Sequence, residues 1–549
     1  MTPRARRAIF SLILFFTICA VAGTFLQRRV GAQSSEDESL IRDNLKAFTN
    51  VYAIVEQNYA EPITGDKADS AIYDGAIPGM LRTLDPHSNF YDPKAYAKMR
   101  EDQRGRYYGV GMVIQQQHDP KLNKDQVLVI TPYEGTPSFR AGIHPGDIIT
   151  AIDGKTTDGM TSDQVAKTLK GPKGTHVQVS MTREGHNGLM VFDLIRDEIP
   201  HPSVDLKYEI RPGVGYIHLT QFQETTAQEV IDAINSFGDM KGLVLDLRGN
   251  PGGLLSQAVE VCDHLLAKGQ GIVSQRGRAY PDQNYVATHG NDGKTFPIVV
   301  VVNRGTASAA EIVSGALQDH DRALIVGETT FGKGPVQSVY NLSDQTGLAL
   351  TTYHYYTPSG RLIQRNYSGV SLYDYYYNHA GAEPADKTNR EVKMTDSGRT
   401  VYGGGGITPD EKIEATKANK FQENVAIHQA FFHFTPRYLA SHTVDKDFQV
   451  NDAVLNEFKQ DLTRETVPFT EKDISDNIGW LKDNIRADIL GTQFGQLQKL
   501  HVQADTDPEL QKALTFLPEA QALQENAHKV LAQKAQAKSG EPQGVPMQQ

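Results

Sequence analysis

The chain has 549 residues, with 55 Lys plus Arg against 66 Asp plus Glu, a net charge of −11 with histidine neutral. At roughly 150 residues per domain this length implies three or four folded units, and the acidic balance gives no footing for nucleic-acid binding through a basic surface. With 39 % hydrophobic and 22 % charged residues and only Cys19 and Cys262, the composition is globular and excludes a disulfide scaffold or a multi-cysteine metal centre.

Residues 8–26 form an uncharged run of 19 residues behind Arg4, Arg6 and Arg7. As a helix the run reaches about 28 Å, enough to cross a bilayer core. The basic flank stays cytoplasmic, so the remaining chain is expected to be exported, either periplasmic or anchored in the inner membrane and facing the periplasm. Residues 1–32 read as a signal peptide cut after Val30-Gly31-Ala32 or as a retained anchor, and both readings stay open. Residues 33–104 read as helical: Val51, Ile54 and Val55 keep a 3.6-residue spacing that the turn Leu84-Asp85-Pro86-His87-Ser88 interrupts.

Over 105–197 the period becomes two, predicting strands at 111–115, 126–131, 147–152, 176–181 and 189–194, with short helices at 138–141 and 162–170. Over 198–415 strands and helices alternate. Strands are predicted at 214–219, 243–247, 298–302 and 323–326. Between them lie a helix with Val230, Ile231, Ile234 and Phe237 on one face, a second carrying Leu255, Ala258, Val259, Cys262 and Leu266, and a third at 308–318; β structure follows at 346–356. Uninterrupted apolar strands between amphipathic helices predict an α/β fold with its sheet covered on both faces. Residues 367–406 read as a surface excursion, a lid or an insertion. Residues 416–549 read as a polar helical extension with a disordered tail from 539.

Three polar residues in the α/β region point to chemistry. Ser308 follows an apolar strand and opens a helix, where backbone N–H groups and the helix dipole favour an oxyanion; with Glu311 it also spells a capping box. Lys333 lies in Gly327-Glu328-Thr329-Thr330-Phe331-Gly332-Lys333-Gly334, close to a phosphate loop. Gly334 stands where that loop needs a hydroxyl for Mg²⁺, and Pro335 opposes an immediate helix, so the nucleotide reading fails. A desolvated lysine can instead stay neutral and act as a general base, whereas a solvated lysine is merely a surface charge. Gln337, four residues on, falls on the same face of an extended segment and can hydrogen-bond a neutral amine without adding a charge, or be a plain strand residue. The turn Asp246-Leu247-Arg248-Gly249-Asn250-Pro251-Gly252-Gly253 could present N–H groups to an anion or simply join a strand to a helix.

Together these residues resemble the carboxyl-terminal-processing, tail-specific serine proteases of Ser–Lys type. The resemblance rests on Gly305-Thr306-Ala307-Ser308-Ala309-Ala310-Glu311, then Phe331-Gly332-Lys333-Gly334-Pro335-Val336-Gln337, and on Leu84 to Ser88, Tyr356 to Arg361 and Gly406 to Asp410. Ala310 stands where the family usually has a second serine. The resemblance spans about residues 40–415 and implies Ser308 as nucleophile, Lys333 as base and Gln337 as its orienter. It further implies Gly253 and Ala309 as oxyanion donors. The fold implied is α/β, a crotonase-like protease core with an inserted β-rich PDZ domain and helical N- and C-terminal extensions.

Tyr108-Gly109-Val110-Gly111-Met112 resembles the PDZ carboxylate-binding loop, and Ala141 to Ile149 the segment that follows it. The function expected is an exported endopeptidase that holds the free C-terminal tail of a protein substrate on its PDZ domain and cleaves upstream. Two other readings are an exported PDZ scaffold or chaperone with a vestigial core, and a Ser–His hydrolase with His218, His264 or His354 as base. No metal or organic cofactor and no nucleic acid are expected. The helical ends, 34–75 and 416–537, read as caps on the core or as arms of a homodimer.

Overall fold

In this computed structural model residues 35–119, 123–377 and 391–539 are described. The apolar run at 8–26 and the tail from 540 lie outside them, and among the described residues no helix is long and apolar enough to cross a membrane. Two units divide the chain, 1–83 and 84–549. The first carries a helix over Ser35–Asn58 and shorter helical turns over Asp66–Ser70, Ala71–Ala76 and Ile77–Arg82.

In the second unit the α/β core is a six-stranded sheet in the order Val204–Arg211, Val214–Leu219, Gly242–Asp246, Ile298–Val302, Leu324–Gly327 and Glu411–Lys412. The first pair is antiparallel and the rest run parallel. Alternate side chains divide between two cores, as strand geometry requires. Ile217, Leu243, Leu245, Val300 and Val302 pack with the helices Thr226–Ser236, Leu255–Asp263 and Ala309–Asp319. Tyr216, Val244, Val299, Val301 and Val326 face the other way, onto Leu510, Ala513 and Ala520. The C-terminal extension therefore covers the second face of the sheet. It also holds a core of its own around Phe421, Phe434, Phe458 and Ile485, so the polar reading of 416–537 needs correction. The apolar residues of that core are divided among successive helices between Lys420 and Phe494, which hides them from any single window.

A second, antiparallel sheet joins Asn89–Tyr91, Gly347–Tyr356, Gly271–Arg276, Gln283–Val286 and Pro335–Asn341. The expected surface excursion at 367–406 is exposed over much of its described length, at Leu372, Tyr373, Tyr377, Val392 and Met394, and is anchored at a few points. Tyr375 and Val401 are buried, and Arg399 ties Asp321 and Asp410 at 2.7 and 2.6 Å. Residues 378–390 lie outside the described residues.

The β-rich module is a sheet of Met112–Asp119, Lys124–Pro132, Ile148–Ile152, His176–Thr182 and Met190–Ile195, with Lys155–Thr156 at one side and the helices Pro137–Arg140 and Ser162–Leu169. Arg106–Gly109 pairs with Asp197–Pro200, closing the module where the chain enters and leaves. Buried Asp147 fixes its middle by accepting from Arg183 Nε at 2.6 Å and from the His144 N–H at 2.8 Å. The C-terminal extension meets this module where Leu497 N–H donates to Glu134 at 3.0 Å.

Candidate active site

Ser308 follows the buried strand Ile298–Val302 and caps the helix Ala309–Asp319 with φ 54° and ψ −116°. An L-residue keeps a positive φ only where its surroundings impose it. Here Ala307 N–H donates to the Asn250 carbonyl at 2.9 Å, Thr306 Oγ1 to the Leu247 carbonyl at 2.8 Å, and Ser308 N–H to Glu311 Oε2 at 2.9 Å. Ser308 is thus presented from a strained strand–helix turn to a cavity of about 690 Å³, which Lys333, Gln337, Gly252, Gly253 and Ala309 also line.

Two buried side chains join the Ser308 and Lys333 backbones. Glu311 accepts from the N–H groups of Ser308 (2.9 Å), Lys333 (2.8 Å) and Gly332 (2.7 Å), and from Thr330 Oγ1 (2.5 Å). Burial pushes its carboxyl up, and those donors oppose the push. The Tyr355 hydroxyl lies against the carbonyls of Ser308, at 3.0 Å, and of Lys333. The capping box read from Ser308 and Glu311 is therefore half of a larger clasp; no sequence signal marked Tyr355. Glu311→Ala leaves four donors without their acceptor and should cost at least about 3 kcal/mol of stability, read by urea unfolding.

Burial lowers the Lys333 ammonium pKa below its ordinary value, with the charges of Glu311 and Asp85 pulling the other way. Lys333 precedes the strand Pro335–Asn341, and the register shifts between Val336 and Gln337. The two side chains share the cavity despite this irregularity, so the even-spacing argument is not what unites them. Gln337 Nε2 is buried and has no hydrogen-bond partner among the described residues.

The glycine pair is fixed by close approach. Gly252 has φ 97°, and a Cβ on it would lie 2.7 Å from Ser308 Cβ and 2.9 Å from Ala309 N; one on Gly253 would lie 2.1 Å from the Phe222 carbonyl oxygen. Phe222 N–H donates to the Gly252 carbonyl and Leu254 N–H to the Phe222 carbonyl, which leaves Gly253 N–H without a protein acceptor among the described residues. Ala309 N–H belongs to the first turn of its helix and has no intrahelical partner. The family resemblance pointed to Gly253, while Gly252 was read only as part of the glycine-rich turn and was given no place of its own.

His87 is a further neighbour that the motif contained but that was assigned no place. Its ring lies 3.2 and 3.3 Å from the hydroxyls of Tyr375 and Tyr376. Burial, and then the nearby Lys333 charge, push its pKa down to about 4. His218 pairs with Asp205 at 2.7 Å, the His264 ring lies tilted against that of His289, and His354 sits in the strand Gly347–Tyr356; none of the three lines the cavity. Among the described residues no group of three His, Cys, Asp or Glu is arranged to hold a metal ion.

In the β-rich module Tyr108 and Gly109 end one strand and Met112 begins the next. The Val110 carbonyl accepts from Ser138 N–H at 2.9 Å and that of Gly111 from Tyr133 N–H at 3.0 Å. Gly111, with φ 83°, has Thr136 where a Cβ would go, 2.4 Å away. With both carbonyls turned to 133–138, the Val110 and Gly111 N–H groups donate to no protein acceptor among the described residues.

Residues 213–371 match the model of peptidase family S41, and residues 99–182 match that of the PDZ domain. The carboxy-terminal-processing protease of Bartonella bacilliformis is 38 % identical over 363 residues, 64 % of this chain and 80 % of that protein. The chain belongs to peptidase family S41. A probable CtpA-like serine protease of Staphylococcus aureus (strain COL) is 33 % identical over 362 residues, 65 % of this chain and 69 % of that one. Among solved structures, the photosystem II D1 C-terminal processing protease is similar at 27 % identity and a TM-score of 0.33, covering 67 % of this chain and 92 % of its own. This S41 peptidase is a carboxyl-terminal-processing serine protease with a PDZ domain inserted in its α/β core, and its substrates are proteins or peptides.

Proposed function

We propose that this S41 peptidase is an exported endopeptidase working through a Ser308–Lys333 dyad, with substrate tails held on its PDZ loop. The observation that carries the reading is one cavity shared by a strained serine and a desolvated lysine. Neutral Lys333 Nζ takes the Ser308 Oγ proton as Oγ attacks the scissile carbonyl carbon, and the oxyanion falls to the N–H groups of Gly253 and Ala309. The resulting ammonium returns that proton to the leaving amine, giving an acyl-enzyme. Water, deprotonated by the same lysine, then releases the acid and restores Ser308. Gln337 suits an orienting part, because a neutral amine accepts from an amide N–H and an ammonium does not.

On the PDZ domain, the loop Tyr108 to Met112 offers the unpaired N–H groups of Val110 and Gly111 to a terminal carboxylate. A fluorophosphonate should modify Ser308, located by peptide mass spectrometry. Amidating a substrate's C-terminus should raise KM at least about ten-fold with kcat little changed. Equal cleavage of both tails would remove the PDZ part of the reading, and labelling elsewhere with Ser308 intact would remove the rest.

Export rests on the run at 8–26 behind its arginines; recovery of the protein only from the cytosol would refute it. A homodimer is supported by the helix Ser35–Asn58. There Ile41, Leu45, Phe48, Tyr52 and Val55 recur at alternating four- and three-residue spacing, and all but Tyr52 are exposed. A monomeric mass in sedimentation at micromolar concentration would refute that part.

A further inference from the structure

The turn that carries Gly252 and Gly253 begins at Arg248, and Arg248 is held from two sides. From the core, Asp246 at the end of strand Gly242–Asp246 accepts from Arg248 N–H and Nε, each at 3.0 Å, and from Nη2 at 2.6 Å. Asp246 is fully buried and also accepts from the Tyr216 hydroxyl at 3.0 Å. From the C-terminal extension, Asp507 accepts from Arg248 Nη2 at 2.6 Å and Glu509 from Nη1 at 3.3 Å. All three of these paired side chains are at least three-quarters buried, so water screens the pairs weakly. Both carboxylates are themselves fixed. Asp507 Oδ1 caps the helix Pro508–Leu514 by accepting from Glu509 N–H at 2.8 Å, and Glu509 Oε1 accepts from Thr416 N–H at 2.9 Å.

Gly252, which touches the Ser308 turn, lies four positions after Arg248. Between them, Asn250 donates to the Leu219 carbonyl at 2.8 Å and accepts from Gly252 N–H at 2.8 Å. An arginine fork clamped at both ends fixes the direction in which this short turn leaves the strand.

We propose that the C-terminal extension sets the oxyanion-binding geometry of the protease through Arg248, with Asp507 and Glu509 as positioning residues. The extension is thereby a working part of the catalytic domain as well as a cover for its sheet. This rests on Ser308, Gly253 and Ala309 having the parts given them above. An ångström of misplacement at an oxyanion donor costs catalysis and leaves ground-state binding nearly untouched.

The test is the full chain carrying Asp507→Asn together with Glu509→Gln. Asparagine keeps the helix cap, so the substitution removes the charge pairing and spares the fold. The expected result is a kcat about ten-fold lower, KM within two-fold of wild type, and affinity for a peptide boronic acid, a tetrahedral mimic, reduced by the same factor as kcat. Asp505→Asn, which alters a neighbouring carboxylate bonded to Tyr208 and not to Arg248, should leave all three values unchanged. A kcat and boronate affinity at wild-type level in the double variant would overturn the proposal, whatever happens to its melting temperature, and so would a loss confined to KM. Ser308→Ala in the same assay separates the layers. If it is inactive while the double variant is normal, only the anchor fails; if it stays active, the dyad reading fails and takes the anchor with it.

Discussion

Lys333→Met should hydrolyse tailed substrates about 10³–10⁴-fold more slowly than wild type and unfold at a higher temperature. Both effects have one cause. Lys333 sits where burial disfavours its ammonium, so the folded protein carries a cost that methionine, similar in length and uncharged, removes. The pH dependence fixes the sign. With the folded pKa below the ordinary 10.5, the unfolded chain binds more protons between the two values, and stability rises with pH across that window. The advantage of Lys333→Met is therefore greatest below the folded pKa and shrinks as pH climbs toward 10.5. In wild type kcat/KM should rise with pH as the amine loses its proton, with a midpoint below 10.5. Parallel thermal melts and pH–rate profiles check both arms. A variant that is inactive and also less stable would argue for a lysine that is a structural cation.

Gly252→Ala should lower kcat by about 10²–10³-fold, the size of losing one oxyanion donor, because its methyl would stand 2.9 Å from Ala309 N and 2.8 Å from the Ala307 carbonyl. Strain and collision can be told apart within the same turn. Gly249 also has a positive φ, 69°, yet nothing lies within 4 Å of a Cβ placed there. Gly249→Ala should thus cost about 1 kcal/mol of backbone strain and leave kcat within a few-fold. Steady-state kinetics with urea unfolding on both variants distinguishes them. Equal losses at the two positions would mean that flexibility of the turn matters and contact with Ser308 does not.

The α/β core was legible because its central strands are short, mostly apolar segments, with Ile298–Val302 apolar throughout. The strands Val214–Leu219 and Ile298–Val302 begin and end where hydrophobic pattern alone puts them. Helix Ala309–Asp319 starts one residue later than expected, since Ser308 itself has left helical geometry. The second sheet was mostly missed: Gly271–Arg276, Gln283–Val286 and Pro335–Asn341 are short and rich in polar residues. They become strands because Gly347–Tyr356 offers its backbone to two of them, a long-range pairing that a local window does not register.

For the site, residue types and spacing singled out Ser308, Lys333 and Gln337, the family resemblance added Gly253, and the chain brings all four to one cavity. Spacing said nothing of Tyr355 against the Ser308 carbonyl, of His87 beside the lysine, or of Arg248 reaching Asp507 from 259 residues away. Sequence by itself determined the kind of fold and which groups are chemically able to react, since both follow from side-chain character and local period. Tertiary structure alone decided what surrounds those groups: how dry the lysine is, which carbonyls and N–H groups are tied, and which distant carboxylates steady the turn. Desolvation and hydrogen-bond geometry are properties of packed neighbours, and neighbours in space are chosen by the fold.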